Sequence, residues 1–307
     1  MGDGREAVNA ERPRLSVVVA SYNSPGTLEH CLESLRGQLG GGAEVVVADC
    51  SLEDVGARLG PRFPEVRFLH FDRRLTIPEL RREALRFARG EVVAMTEGRM
   101  APSPGWTGAL LESHSRQAQA PAVGGPIDYD GASAFDSAVF FCEYGLHMPP
   151  TGDGPAGLLS GGNLSYKRWA LELCSDLIEA GAWEPVVNQR LRQRGHELYR
   201  AGNALVRYRN SLSAGEFVRQ RFHYGRWYAH VRGEAGGAMR RVMYAGFCPL
   251  LPFLLTLRLA RIVFGRRRHR AAFVRALPWI VFCQSVWSAG EFWGYLFGQG
   301  SSNRRVF

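Results

Sequence analysis

Two apolar runs near the start constrain this chain most: Leu15-Ser-Val-Val-Val-Ala-Ser21 and Val45-Val-Val-Ala-Asp49. Each is short, rich in valine and ends in small polar residues. Continuous rather than alternating hydrophobicity marks strands covered on both faces, as in parallel sheets flanked by helices. Such sheets take their ligands in the crevice beyond the carboxyl ends of the strands. Ser21-Tyr22-Asn23 and Asp49-Cys50-Ser51 fall at that position. An acid at the second tip suits a ribose or base contact, so the pair points to a nucleotide-binding α/β domain. The plainer alternative is an acid that organises the following turn, and Asn23 has the same alternative.

The alternation continues. Pro25–Gln38 carries helical spacing through Leu28, Cys31, Leu32 and Leu35, with Ser24 as N-cap and Pro25 at the first helical position. Val66–His70 reads as a third strand. Ile77–Gly90 reads as a helix closed by Gly90, and Glu91–Thr96 as a fourth strand ending at Glu97. A helix from Trp106 to about Arg116 and a strand over Ala122–Ile127 follow. Residues 128–158, rich in Gly and Pro with scattered aromatics, read as a long functional loop or short irregular elements. Leu158–Tyr166 is a strand and turn, Glu184–Gly195 a helix, and residues 197–208 contain a late strand. Strands alternating with helices imply an α/β fold with a mostly parallel sheet.

Charge is unevenly placed. The chain carries +9 overall, yet residues 217–307 hold 15 Arg against only Glu234 and Glu291. Nucleic acid and anionic membrane both attract such a module. The same region contains Phe247–Leu257 and Leu277–Trp287, two long apolar runs that a nucleic-acid tail would lack. The partner expected is therefore a membrane surface and not nucleic acid. The six cysteines form no C-x-x-C pair, which argues against structural zinc and a disulfide framework and for a reducing compartment. The first thirteen residues are polar, have no apolar core of a signal peptide and are expected to be disordered.

In order along residues 14–230, these pieces resemble family 2 glycosyltransferases of the GT-A fold, inverting enzymes that use nucleotide-sugars. Ser16–Asn23 is similar to the opening strand and nucleotide turn, which implies donor contacts from Ser21, Tyr22 and Asn23. Asp49 matches the acid aimed at base and ribose, and Arg81 in Pro78-Glu-Leu-Arg81 matches the arginine that approaches the diphosphate. Met95-Thr-Glu-Gly-Arg99 followed by Pro102-Ser-Pro-Gly-Trp106 resembles the metal-binding D-x-D motif and its P-x-x-W. Gly161-Gly162-Asn163 resembles the acceptor-side turn, on which side Trp106 also falls. Trp183-Glu184 sits at the E-D pair that supplies the catalytic base. Gln220–Trp227 is similar to the Q-x-x-R-W segment, which places Arg226 and Trp227 on the acceptor side.

Two motifs depart from the family pattern. The D-x-D position reads Glu97-Gly98-Arg99. A divalent cation, Mg2+ or Mn2+, wants hard oxygen ligands, and arginine supplies none. Either Glu97 alone helps hold the ion, or Arg99 substitutes for its charge with bidentate phosphate contacts. In the E-D pair Glu184 is followed by Pro185, so one carboxylate remains for general-base work. Its competing reading is an ordinary acid favoured by a helix N-terminus.

The tail divides near residues 210–235, giving a transferase domain over 14–230 and a membrane-associated helical pair over 231–307. Its apolar segments, about 242–264 and 273–298, are long enough to span a bilayer. Arg266, Arg267, Arg268 and Arg270 connect them, and two spans would place those charges opposite the catalytic domain, against the positive-inside rule. The pair is therefore expected to lie on, or re-enter, the cytoplasmic leaflet of a bacterial inner membrane; a spanning hairpin is the competitor. The expected activity is sugar transfer from a nucleotide-diphosphate donor to a lipid-linked or envelope-glycan acceptor. A degenerate fold that binds without turnover is the first rival. A nucleotidyltransferase is the second, but Ser21-Tyr-Asn-Ser-Pro25 lacks the Gly-rich phosphate loop it needs.

Overall fold

The computed structural model describes residues 12–40, 42–131, 133–234 and 237–305. Residues 1–11 of the expected disordered N-terminus lie outside the described residues. Pro13 is buried, and its carbonyl accepts the Glu91 N–H at 3.3 Å.

The chain begins β1 (Leu15–Ser21), α1 (Pro25–Arg36), β2 (Ala43–Asp49), α2 (Val55–Leu59), β3 (Val66–His70) and α3 (Ile77–Leu85). It continues β4 (Val92–Glu97), β5 (Met100–Pro102), α4 (Trp106–Arg116), β6 (Ala122–Gly124), β7 (Ile127–Tyr129) and α5 (Ala134–Tyr144). Next come β8 (Gly154–Pro155), β9 (Leu164–Lys167), α6 (Arg168–Leu173), α7 (Ser175–Glu179), α8 (Glu184–Gln193), β10 (Tyr199–Arg200) and β11 (Val206–Tyr208). Four helices close it: α9 (Ala214–Glu234), α10 (Ala238–Phe247), α11 (Leu251–Arg266) and α12 (Arg270–Phe297).

Eight strands form the main sheet in the order β3-β2-β1-β4-β9-β6-β10-β8. The first four run parallel, β9 runs against both its neighbours, and β6 and β10 again run parallel to each other. The sheet is thus mixed, with four parallel strands on one side. Every residue of β1 is buried, which is why its sequence is continuously apolar. Val17 and Val19 pack with Leu28, Leu32 and Leu35 of α1 on one face; Val18 and Ala20 pack with Leu80 and Ala84 of α3 on the other. The register sets Ser21 opposite Asp49 and Ala20 opposite Glu97, so three strand tips meet at one edge. A second sheet, β5-β11-β7, lies beside it.

Several local expectations change. The helix before β4 ends at Leu85; Gly90 does not close it but lies against β1, where an added Cβ would stand 2.5 Å from the Ser16 nitrogen. The expected strand over 122–127 is two short strands in different sheets. The expected loop over 128–158 contains α5, started by a capping box in which Ser133 and Asp136 exchange hydrogen bonds.

The C-terminal helices share the core of the rest. Phe273 meets Phe141 at 5.2 Å between ring centroids and Trp279 meets Phe135 at 5.3 Å. α9 runs past residue 230 and packs on α12 at backbone contact. A Cβ on Gly290 would lie 2.2 Å from the Phe222 carbonyl oxygen, and one on Gly294 would lie 2.3 Å from that of Arg226. Among the described residues one helical run, Ala238–Arg266, is long and apolar enough by length and composition to cross a membrane, with mean hydropathy 1.7. The second apolar segment, α12, keeps Ile280, Cys283 and Tyr295 buried.

Candidate active site

The site is built at the edge where β1, β2 and β4 end. Gly98 donates its N–H to the Ala20 carbonyl at 2.9 Å, tying the Glu97-Gly98-Arg99 turn to β1. A cleft of about 360 Å³ opens there, lined by Ser21, Tyr22, Glu97, Gly98, Arg99 and Leu212. The Ser21 hydroxyl is buried without a partner. The Arg74 guanidinium lies 4.9 Å from the centre of the Tyr22 ring.

Asn23 takes the left-handed conformation, with φ 45°. Its N–H donates to Ser51 Oγ at 2.7 Å, and its Oδ1 accepts from the Leu52 N–H at 3.0 Å. Asp49 is 1% exposed; its carboxylate accepts from the Ser51 N–H at 2.8 Å and from the Ser51 hydroxyl at 2.7 Å. Both residues thus lock the β1 and β2 loops together, and Asp49 engages Ser51 rather than the cleft.

Arg81 is the centre of the second half of the site. Its position on α3, after a capping box of Thr76 and Glu79, aims it beneath the strand tips. One guanidinium nitrogen pairs with Glu184 Oε1; another donates to the Gly161 carbonyl at 2.8 Å and lies 3.4 Å from Glu97 Oε1. Glu97 Oε2 in turn accepts from Arg99 at 3.2 Å. A single chain of charge therefore runs Glu184–Arg81–Glu97–Arg99, with three of its side chains on parts of the sequence far apart. Burial lowers the Arg81 pKa from its ordinary value, and Glu97 opposes that. For Arg99 burial acts downward too, but Tyr208, Tyr144 and Glu97 outweigh it and the net shift is upward. Both stay cationic, as an arginine does in any ordinary protein setting.

Gly161 is required by this geometry. A Cβ there would lie 2.6 Å from Glu184 Oε2 and 2.9 Å from an Arg81 nitrogen. Gly162 accepts the Thr96 hydroxyl at 3.0 Å through its carbonyl, fixing the turn to β4. Asn163 and Trp106, expected on the acceptor side, are instead wholly buried. Trp106 Nε1 donates to Asn163 Oδ1 at 2.9 Å, and Asn163 Nδ2 donates to the Pro126 and Ala204 carbonyls. They brace the loops behind the turn and present nothing to a cleft. On α9, Arg226 donates to the Gly298 carbonyl at 2.7 Å, and Trp227 is buried.

Trp227 does reach the site through other rings. Trp183, which precedes Glu184, lies 6.0 Å from both Trp227 and Tyr224, and Tyr224 lies 5.1 Å from Trp287 of α12. The sequence singled out Trp183 and Trp227 but not Tyr224 as their partner; its spacing of three from Trp227 on one helix was the available signal. Tyr144 and Tyr208, which flank Arg99, carried no motif.

The acids present do not fit a resident divalent ion. Among the described residues no three His, Cys, Asp or Glu side chains come together to hold a metal. Both oxygens of Glu97, the one acid kept at the D-x-D position, already face guanidinium groups. An ion at Glu97 would have to displace both.

Residues 16–149 match the family described as Glycosyl transferase family 2. An uncharacterized protein of Mycobacterium tuberculosis is 32% identical over 120 residues, 38% of this chain, and the chain spans only 36% of that relative's length. A mannosyltransferase from Pyrobaculum calidifontis, solved in complex with GDP-Man and Mn2+, is similar in structure at 16% identity. The TM-score is 0.56, over 94% of this chain and 88% of that one. Strand order and crevice agree with these matches: residues 16–149 resemble family 2 glycosyltransferases, and the fold is of the GT-A type.

Proposed function

We propose that this protein transfers a sugar, with inversion, from a nucleotide-diphosphate donor to a lipid-linked or envelope-glycan acceptor at a membrane surface. The observation that carries the reading is the convergence of Arg81, Glu97, Arg99, Glu184 and Gly161 at the carboxyl edge of the parallel strands. The donor's nucleoside would sit in the Ser21–Tyr22–Gly98 cleft, where the unpartnered Ser21 hydroxyl is available to it. Arg81 and Arg99 would face the diphosphate. Glu184 would take the proton of the acceptor hydroxyl as its oxygen bonds to the anomeric carbon; the bond from that carbon to the diphosphate breaks, and the electron pair leaves on the phosphate oxygen. Arg99 would offer the leaving charge planar guanidinium donors, and Arg81 would add its positive charge from behind its own pairs with Glu184 and Glu97. The GDP-Man bound to the structurally similar mannosyltransferase supports the donor class. Among the described residues no three His, Cys, Asp or Glu side chains gather as a ligand set for its Mn2+.

The exposed apolar face of Ala238–Arg266 supports a membrane surface as the second partner. The arginines of the 266–270 loop favour the anionic cytoplasmic leaflet of a bacterial inner membrane.

A second reading, binding without turnover, has one observation in its favour: Glu184 is 6% exposed and held by Arg81, not free to receive a proton. Thermal shifts with a panel of nucleoside diphosphates and donor-sugar hydrolysis by wild type and Glu184→Gln separate the two. Binding with hydrolysis lost in Glu184→Gln supports the enzyme. Binding with no turnover in either supports the second reading, and no binding removes both.

A further inference from the structure

A second open cavity is larger than the cleft at the strand tips. It lies between the 146–159 loop, the end of β10 and α11, and offers about 620 Å³ of open space. Its wall has a distinctive chemistry. Arg200 and Arg258 face it beside His147 and Thr151, while Leu146, Leu158 and Ile262 supply apolar cover and no carboxylate lines it. Arg258, Ile262 and Arg266 repeat every four residues, so they stack on one face of α11. Arg266 holds the Met148 carbonyl at the rim.

The positive charge here is not answered from within. Arg200 spends only its Nε, on the Gly152 carbonyl at 2.9 Å. Arg258 makes no hydrogen bond or ion pair with any described residue. Asp153, on the same loop, accepts from the Gly202 N–H at 2.7 Å and is not part of the wall. The Thr151 hydroxyl is buried without a partner. Burial, then Arg266 and Arg200, push the His147 pKa down to about 4, so the imidazole is neutral and reports the positive potential around it.

Outside the cavity α11 presents Phe253, Leu254 and Leu257 to the surroundings, 69%, 57% and 47% exposed. An anion site opening onto an apolar helix face fits an amphiphile, headgroup in and hydrocarbon out. The phosphate of a lipid-linked acceptor matches the Arg258 guanidinium and the remaining nitrogens of Arg200, and leaves the acceptor's hydroxyl to reach Glu184. The loop then leads directly to the transfer site: Leu158 and Leu159 line the cavity, and Gly161 lies against Glu184.

Resting on the transferase reading above, we infer that this cavity binds the phosphate of a lipid-linked acceptor through Arg200, Arg258 and Thr151, with the lipid chain lying along α11.

The test uses the full chain in detergent micelles, with farnesyl phosphate, farnesol and inorganic phosphate as probes, and phosphatidylglycerol vesicles beside phosphatidylcholine vesicles. Farnesyl phosphate should bind, and the Arg200→Gln, Arg258→Gln double variant should weaken it by at least about tenfold. Arg261→Gln, which removes the same charge from the same helix outside the cavity, should leave binding unchanged and serves as the control for folding and net charge. Equal affinity for farnesol, equal binding by the double variant, or the same loss in Arg261→Gln overturns the proposal. A loss of phosphatidylglycerol vesicle binding as large as that for farnesyl phosphate also overturns it, because the site would then read bulk headgroups. Nucleoside diphosphate binding is measured separately on the same samples. Its failure would strike the transferase reading, whereas failure of farnesyl phosphate alone strikes only this one.

Discussion

Arg81 pairs with Glu184 across 103 residues of sequence, and the two side chains are only 3% and 8% exposed. A buried pair of this kind is costly to break from one side, because the partner left behind keeps its charge without compensation. Here the arginine also serves Glu97, but Glu97 keeps Arg99, so its loss would strand Glu184 alone.

Arg81→Gln should therefore lower stability by about 3–5 kcal/mol. Glu184→Gln should cost less, since Arg81 keeps Glu97 and the Gly161 carbonyl. Chemical denaturation of the two single variants and the double variant gives the coupling directly; a value near zero would show that the pair does not act as a unit.

Gly161→Ala should fold and fail to work. The added methyl meets the ends of two side chains, not backbone, so the ion pair can shift aside while the turn survives. On the proposed mechanism, misplacing Glu184 and Arg81 should reduce sugar transfer about 100-fold. A melting temperature that falls along with the activity would instead mark Gly161 as a purely structural residue.

Metal dependence should follow Arg99. Nucleoside diphosphate binding by the wild type should be the same with Mn2+ and with a chelator, because guanidinium groups occupy the place of the missing acid. Arg99→Asp supplies a hard oxygen ligand next to Glu97 and should make binding depend on Mn2+. Calorimetry of both proteins with and without the ion decides the matter.

Stability should fall with mild acid through a histidine remote from the site. His114 is buried under β9, its Nε2 2.9 Å from Ser165 Oγ. Burial, then Lys167, holds its pKa at about 3 against an ordinary 6.5. The unfolded chain takes up a proton below 6.5 that the folded chain refuses until about 3, so stability is whole above that window and drains as pH falls through it. From pH 7.5 to pH 5 this histidine should account for a loss of about 2 kcal/mol. His114→Gln should flatten that limb in urea titrations at the two pH values.

The parts legible in the sequence share one cause. β1 and β2 are strands whose apolar runs are continuous because helices cover both faces, and α4 begins at the P-x-x-W tryptophan. α5 was missed because it is apolar nearly all round, buried between β7 and α12, so no amphipathic period marks it. β5, β7 and β11 are three residues each, too short for any alternation to show. In the site, residues named for charge were easier to place than residues named for position. Arg81, Glu97, Arg99 and Glu184 converge because charged groups buried at this depth must find one another. Trp106 and Asn163 lie in the expected turns, yet their polar atoms are consumed by each other and by backbone carbonyls. A linear motif cannot say which way its side chains face.

The tight seam of α9 against α12 has a practical outcome. Gly225, Gly290 and Gly294 let the two helices touch backbone to backbone, and the same two helices carry the rings that end at Trp183. Cutting the chain at about residue 230 to obtain a convenient water-soluble fragment would strip the scaffolding from beneath Glu184. A fragment ending there should not keep Glu184 in place.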